Sequence, residues 1–280
     1  MAAYLERPKT LTEALEIKAA RPEALFLAGG ATLIAMKNAG LVDPEGLIAL
    51  EGIEDLRGIT QEPDGRIRIG AMTRHRETAA SPQLTGSLAL VREAAGKIAN
   101  PPVRNMGTMG GALANADPGA DYPAALVAAE AELELIGPDG SRRLPIADFF
   151  LDWYETALAE GEILAAIRLP KPEARASTYR KLARVSGDYA TASCAVALTA
   201  DQGLRVAIGA CGPAPLRAPE AEADLRGKLH DPAAVAALGA ALVALADPVD
   251  DVRGSAAYRL RLIPRLLAST LGTLLEREAA

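Results

Sequence analysis

Two glycine pairs in this sequence mark places where bare backbone can do chemistry. Leu25-Phe26-Leu27-Ala28 is a short apolar run of strand character. It ends in Gly29-Gly30-Ala31-Thr32, after which Leu33, Ile34 and Met36 resume at helical spacing until Gly40. A strand that enters a helix through two glycines exposes successive N–H groups, and without β-carbons an anionic ligand can approach them closely. Thr108-Met109-Gly110-Gly111 repeats the arrangement, again with a hydroxyl beside the glycines and N–H groups expected to be bare. Two such turns can grip a pyrophosphate from both sides, although either pair alone also reads as a plain tight turn. Neither contains Gly-x-Gly-x-x-Gly or Gly-Lys-Ser/Thr, so a nicotinamide Rossmann unit and a P-loop are both unsupported. Asn115, Asp117 and Asp121 offer acceptors for ribose or ribityl hydroxyls. Asp117, before Pro118-Gly119, reads equally well as a turn initiator, and Asn115 as a backbone cap.

The elements that must position these turns follow from local pattern. Thr10 with Glu13 forms a capping box, which predicts a helix running to about Arg21-Pro22. Leu47 to Leu50 reads as a strand, making residues 1–52 a βαβ unit with the first glycine turn inside it. Arg66 to Gly70 alternates as a half-buried strand does, after a Pro63-Asp64-Gly65 turn, and helical spacing returns from Leu84 to Ala99. Residues 100–121 mix prolines, glycines and small residues, and read as one long functional loop. Ala124 to Ala129 reads as helix and Glu132 to Ile136 as strand. Pro170-Lys171-Pro172 marks a domain boundary. Beyond it, Ala192–Thr199 and Leu204–Ala210 form a hairpin through Asp201-Gln202-Gly203, which would bring Cys194 and Cys211 near each other. Helices over Ala233–Ala246 and Ala256–Glu278 complete the reading. The expected division is 1–52, 53–170 and 171–280.

Composition narrows the function classes. At 280 residues the chain exceeds the usual span of one core, and half its residues are hydrophobic with 24% charged, as in an ordinary globular protein. A net charge of −6 with scattered basic residues argues against a nucleic-acid partner. No apolar run reaches the roughly 18 residues of a membrane span, and MAAYLERPKT has neither part of a secretory signal, so the expected location is cytoplasmic. Two cysteines fall short of a four-cysteine iron–sulfur or zinc site, and both read as core thiols. The two histidines, His75 and His230, read as surface or structural residues.

The segment Ile98 to Pro123, with Ala28-Gly29-Gly30-Ala31-Thr32 and Arg184-Val185-Ser186-Gly187-Asp188-Tyr189-Ala190, resembles the FAD-binding medium subunit of molybdenum hydroxylases, the group of carbon monoxide dehydrogenase, xanthine dehydrogenase and aldehyde oxidase. The resemblance covers essentially the whole chain. It implies an α+β architecture, the vanillyl-alcohol-oxidase-type FAD fold: two α/β subdomains embrace the cofactor, and a C-terminal domain of antiparallel strands and helices closes over it. It implies that Ala28, Gly29, Gly30, Ala31 and Thr32 wrap the FAD pyrophosphate, with the Thr32 hydroxyl helping. Thr108, Gly110 and Gly111 would clamp the same group, Asp121 would bond the sugar or adenine end, and Tyr189 would lie against the isoalloxazine. Two positions depart from the family pattern: Ala112 stands where Asn is frequent, and Arg184-Val185 where Arg-Arg is usual. The resemblance further implies an oxidoreductase subunit that passes electrons from iron–sulfur clusters to an acceptor, with no acid–base residue of its own. Molybdenum-pterin and 2Fe–2S clusters would lie on a large and a small partner subunit, in a dimer of heterotrimers. The alternatives are an autonomous flavoenzyme of the same fold and a non-redox nucleotide-binding or assembly protein.

Overall fold

The computed structural model describes residues 4–201 and 203–279. Its first unit is built from β1 (Tyr4–Glu6), α1 (Leu11–Ala20), β2 (Leu25–Leu27), α2 (Leu33–Asn38) and β3 (Gly46–Ala49). The strands form a parallel sheet in the order β1-β3-β2, with the glycine turn between β2 and α2. Thr10 caps α1 as its spacing predicts, accepting from the Glu13 N–H at 3.1 Å. The returning bond goes from the Lys9 N–H to the Glu13 carboxylate at 2.6 Å, one residue outside the usual box. β1 is an addition to the sequence reading, since three residues are too few to show a period.

The second unit runs through β4 (Ile59–Gln61), β5 (Ile67–Gly70), α3 (His75–Ala80), α4 (Ala89–Lys97), α5 (Pro101–Met106), α6 (Met109–Asn115), α7 (Asp121–Ala128), β6 (Glu132–Gly137), β7 (Gly140–Pro145), β8 (Phe150–Asp152), β9 (Glu155–Thr156) and β10 (Ile163–Leu169). Its main sheet is antiparallel, ordered β4-β5-β10-β6-β7, while β8 and β9 make a separate hairpin. β10, the last strand in sequence, is the central one. Its register shifts between Leu164 and Ala166, and the odd residue, Ala165, turns its carbonyl to the Ala71 N–H at 2.9 Å.

The long loop expected over 100–121 is corrected here, because it contains two short helices and the start of a third. Asn100 caps α5 by accepting from the Val103 N–H, and Pro101 and Pro102 occupy the first helical turn, where a missing N–H costs nothing. Thr108 caps α6 by accepting from the Gly111 N–H at 3.2 Å, and Ala116 ends it in the left-handed region. Residues that break a helix interior are here helix starters.

The third unit contains β11 (Ser177–Leu182), β12 (Ala192–Leu198), β13 (Leu204–Gly209), α8 (Pro219–Asp224), α9 (Pro232–Leu245) and α10 (Ala256–Glu278). Its strands form an antiparallel sheet in sequence order. β12 is buried on both faces: Cys194, Val196 and Leu198 join the core with α9 and α10, while Ala195 and Ala197 join the core of the second unit, which includes α7. Small residues on that side let α7 come close, and a β-carbon on Gly209 would fall 3.2 Å from that of Ala124. Cys194 and Cys211 share one core as free, buried thiols, although Cys211 follows β13 rather than lying on it. Burial pushes both thiols up to about 12, which leaves them inert protonated side chains. Gln202, in the expected hairpin turn, lies outside the described residues. Among the described residues no helix is long and apolar enough to cross a membrane.

Candidate functional site

A cleft of about 540 Å³ opens between the three units, and all twelve residues singled out as a candidate site lie on its wall. The β2–α2 turn contributes Ala28, Gly29, Gly30, Ala31 and Thr32, and α6 with its cap contributes Thr108, Gly110, Gly111 and Asn115. Asp117 and Asp121 come from the approach to α7, and Tyr189 from the loop between β11 and β12. A neighbouring groove of about 750 Å³ is larger, but only Ala28, Gly29 and Thr108 of the twelve reach it. The cleft of about 540 Å³ is therefore the candidate site.

The two glycine turns lie back to back. A β-carbon on Gly29 would fall 2.0 Å from the Met106 carbonyl oxygen, and one on Gly111 would fall 3.1 Å from the Ala28 methyl. At the first turn Gly30 takes a positive φ of 76°, and Thr32 is already in the helical region. None of the N–H groups of Gly29, Gly30, Ala31, Thr32 and Leu33 donates to an acceptor among the described residues. The Thr32 hydroxyl makes no capping bond either. This run of unengaged donors beside a cleft is a nest of the kind that holds phosphate oxygens.

The second turn departs from the expectation of bare N–H groups. Met109 donates to the Thr73 carbonyl at 3.0 Å, Gly110 to the Ala71 carbonyl at 2.8 Å, and Gly111 to the Thr108 hydroxyl. A β-carbon on Gly110 would sit 2.5 Å from the Ala71 methyl, so this glycine is required by backbone packing. The Met109, Gly110 and Gly111 donors of the second turn are thus already used, while the Thr108 N–H donates to no acceptor among the described residues.

The polar residues divide in the same way. No hydrogen bond to the protein engages the Asn115 carboxamide among the described residues, and it stays available at the cleft. One Asp117 oxygen accepts from the Gly119 N–H at 2.9 Å, the turn-initiating geometry, and the other accepts from the Tyr154 hydroxyl at 3.3 Å. Asp121 is buried: one oxygen accepts from the Tyr179 hydroxyl at 2.7 Å and the other from the Lys181 ammonium at 2.9 Å. Burial pushes the Asp121 carboxyl up, against the pull of Lys181 and Tyr179. Lys181 also donates to the carbonyls of Lys97 and Asp188, so it ties the third unit to α4 and α7 at the cleft wall. Its position on a partly exposed strand gave no sequence signal for that role.

Tyr189 stands half exposed at the mouth, its ring 5.1 Å from the Arg253 guanidinium. Burial of its ring, with Asp117 nearby, pushes its hydroxyl up to about 12. The loop carrying it is braced by Arg184, which bonds the Asp188 carboxylate and the Val252 carbonyl. Arg184 is thus committed to the loop. Val185 beside it is exposed, and Ala112 lines the cleft with a methyl only. His75, read as a surface or structural residue, is buried and lines the cleft, while His230 is exposed. β10 contributes Ile163 and Leu164 to the wall, which sequence spacing could not reveal because they lie far along the chain.

Comparison with known proteins matches this geometry to a family. Residues 2–172 match the model described as "FAD binding domain in molybdopterin dehydrogenase", and residues 177–274 match "CO dehydrogenase flavoprotein C-terminal domain". The chain is similar to the carbon monoxide dehydrogenase medium chain of Hydrogenophaga pseudoflava, 37% identical over 270 residues and 94% of each chain. It is similar also to that of Afipia carboxidovorans, 40% identical over 262 residues and 91% of each chain. A solved carbon monoxide dehydrogenase of Hydrogenophaga pseudoflava superposes with a TM-score of 0.93 at 38% identity, covering 99% of this chain and 98% of that one. Quinoline 2-oxidoreductase of Pseudomonas putida 86 superposes at 0.92 with 28% identity, covering 100% and 99%. The α+β FAD-binding fold is shared along the full length, and the chain belongs to the family of FAD-binding medium subunits of the molybdenum hydroxylases, a family of oxidoreductases.

Proposed function

We propose that this chain is the electron-transferring FAD subunit of a cytoplasmic molybdenum hydroxylase, joined to a large molybdenum-cofactor subunit and a small iron–sulfur subunit. The observation that carries the reading is the nest at Gly29 to Leu33, five consecutive unengaged N–H groups beside a cleft that ends in an aromatic face. The residues fit the cofactor: the nest and the Thr32 hydroxyl would hold the pyrophosphate, Thr108, Gly110 and Gly111 would bound it from behind, and Asn115 would meet a sugar or ribityl hydroxyl. Asp117 would reach the same hydroxyls with its remaining lone pairs. Asp121 would act through its Lys181 and Tyr179 bonds to set that wall. Tyr189 would cover the isoalloxazine. Bound FAD supplies the redox chemistry, so no acid or base is needed from this chain.

Substrate choice belongs elsewhere in the complex on this reading. Relatives of the same chain type are named for carbon monoxide, glyceraldehyde, nicotine and xanthine, a range that one shared chain type does not explain. Partner docking is supported by exposed apolar side chains near Tyr189: Val185 is 66% exposed and Val252 is 76% exposed, and Arg184 links their loops. We take the partition 1–52, 53–170 and 171–280 as the domain division, since no strand pairs across either boundary.

Acid precipitation of the purified chain tests the cofactor. A released flavin that co-migrates with FAD supports the proposal, whereas FMN, or flavin retained in the pellet, overturns the pyrophosphate reading. The chain alone should reduce no dye with purines, aldehydes, N-heterocycles or carbon monoxide. Substrate-dependent dye reduction would instead favour an autonomous flavoenzyme.

A further inference from the structure

The second glycine turn has used the N–H groups of Met109, Gly110 and Gly111, and one side chain beside it has a donor to spare. His75 opens α3, and its backbone N–H donates to the Gly107 carbonyl at 3.1 Å, which fixes the imidazole against the Gly107-Thr108 segment. The fit is close enough that a β-carbon on Gly107 would fall 2.5 Å from Nε2. The side chain is buried, yet it lines the cleft. Its Nδ1 lies 3.2 Å from the hydroxyl of the fully buried Tyr122. A buried phenol must place its one proton on an acceptor. Among the described residues His75 Nδ1 is the one hydrogen-bond partner of that hydroxyl, and the nearby Thr78 hydroxyl bonds the Arg74 carbonyl at 3.3 Å instead. Tyr122 therefore donates to Nδ1, and the neutral ring carries its own proton on Nε2. Burial and the nearby Arg104 keep the ring neutral, with its pKa lowered to about 4.

We propose that His75 is a flavin-binding residue whose Nε2–H donates to an oxygen of the FAD held beside the Gly107-Thr108 segment. The inference rests on the reading of this cleft as the FAD site, and it replaces the purely structural role that the sequence suggests. It gives the wall formed by the second turn a side-chain donor where the Met109, Gly110 and Gly111 N–H groups are already bonded.

The chain has only two histidines, so the state of His75 can be read directly. With His230→Gln removing the second signal, long-range proton–nitrogen NMR of histidine-labelled protein is recorded on flavin-stripped and FAD-reloaded samples, with flavin content measured on each. The expected result is the neutral, Nε2-protonated tautomer in both, with the Nε2 resonance displaced on loading. Affinities from FAD titration of the stripped protein provide the second measurement. His75→Phe, which has no donor, should lose roughly tenfold, and His75→Gln, which keeps an amide donor near Nε2, should stay within about threefold. An Nδ1-protonated ring, an Nε2 resonance unmoved in FAD-loaded protein, or equal losses in Phe and Gln would overturn the proposal alone. A chain that takes up no FAD would overturn the proposed function with it.

Discussion

At Gly29 to Leu33 five successive N–H groups face no protein acceptor, whereas at Met109 to Gly111 three successive N–H groups are all bonded, to Thr73, Ala71 and Thr108. In the first turn the glycines leave backbone open to the cleft with its donors bare. In the second they let backbone approach backbone: Gly110 sits where any β-carbon would enter Ala71. A Gly-Gly beside a threonine therefore has two physical uses. They are told apart by asking where the N–H groups go.

Substitutions can break or sharpen this contrast. Gly29 is the exception within the first turn, because it also touches the second through the Met106 carbonyl. Gly29→Val should lower the stability of the flavin-free protein by about 3 kcal/mol or more, read as the urea midpoint, since backbone rather than a flexible side chain must move. A stable Gly29→Val protein would mean that the two turns are not rigidly joined.

Protonation probes the packed side of the contrast. The pKa of His75 is about 4 in the folded protein against 6.5 ordinarily, so the unfolded chain binds the extra proton between these values. Stability from the neutral ring is complete above pH 6.5 and is lost as pH falls towards 4, by about 3 kcal/mol in all. Urea midpoints of flavin-free wild type should thus fall more steeply over that window than those of His75→Gln. Parallel profiles would show that the ring is not held neutral.

Gly110→Ala should cost about 2 kcal/mol whether or not FAD is present, because the clash is with the Ala71 backbone and methyl. A variant of normal stability that has lost only flavin would return Gly110 to ligand contact. The two threonines give the smallest and cleanest contrast. Thr108→Ala removes the cap of α6 and should cost about 1 kcal/mol of stability. Thr32 caps nothing, so Thr32→Ala should change stability by less than about 0.5 kcal/mol while FAD affinity, measured by titration, falls roughly tenfold. Equal effects of the two on stability would erase the distinction between the turns.

Much of the architecture was legible because local pattern and tertiary structure agree. The strand–glycine–helix of the first unit, the Thr10 cap and the hairpin strands of the third unit each carry a short-range signal. Residues 100–121 differ from the expected loop for a specific reason: Asn100-Pro101-Pro102 and Thr108 are helix-start signals, and prolines and glycines break a helix only in its interior. Motifs alone single out candidate residues that all line one cleft. They could not show that Asp121 is held by Lys181 and Tyr179, or that His75 faces the same cleft, because those neighbours are long-range.

The position of β10 also imposes an order on biosynthesis. A chain leaving the ribosome presents β5 and β6 first, but they are not neighbours in the sheet, and each waits for β10 to pair with its inner edge. The two halves remain an open template until residues 163–169 emerge, the kind of long-range closure that makes folding slow and leaves edges exposed to wrong partners. Ile163 and Leu164 of that strand are also part of the cleft wall. A nascent chain shorter than about 169 residues thus has both glycine turns yet lacks this part of the cleft wall.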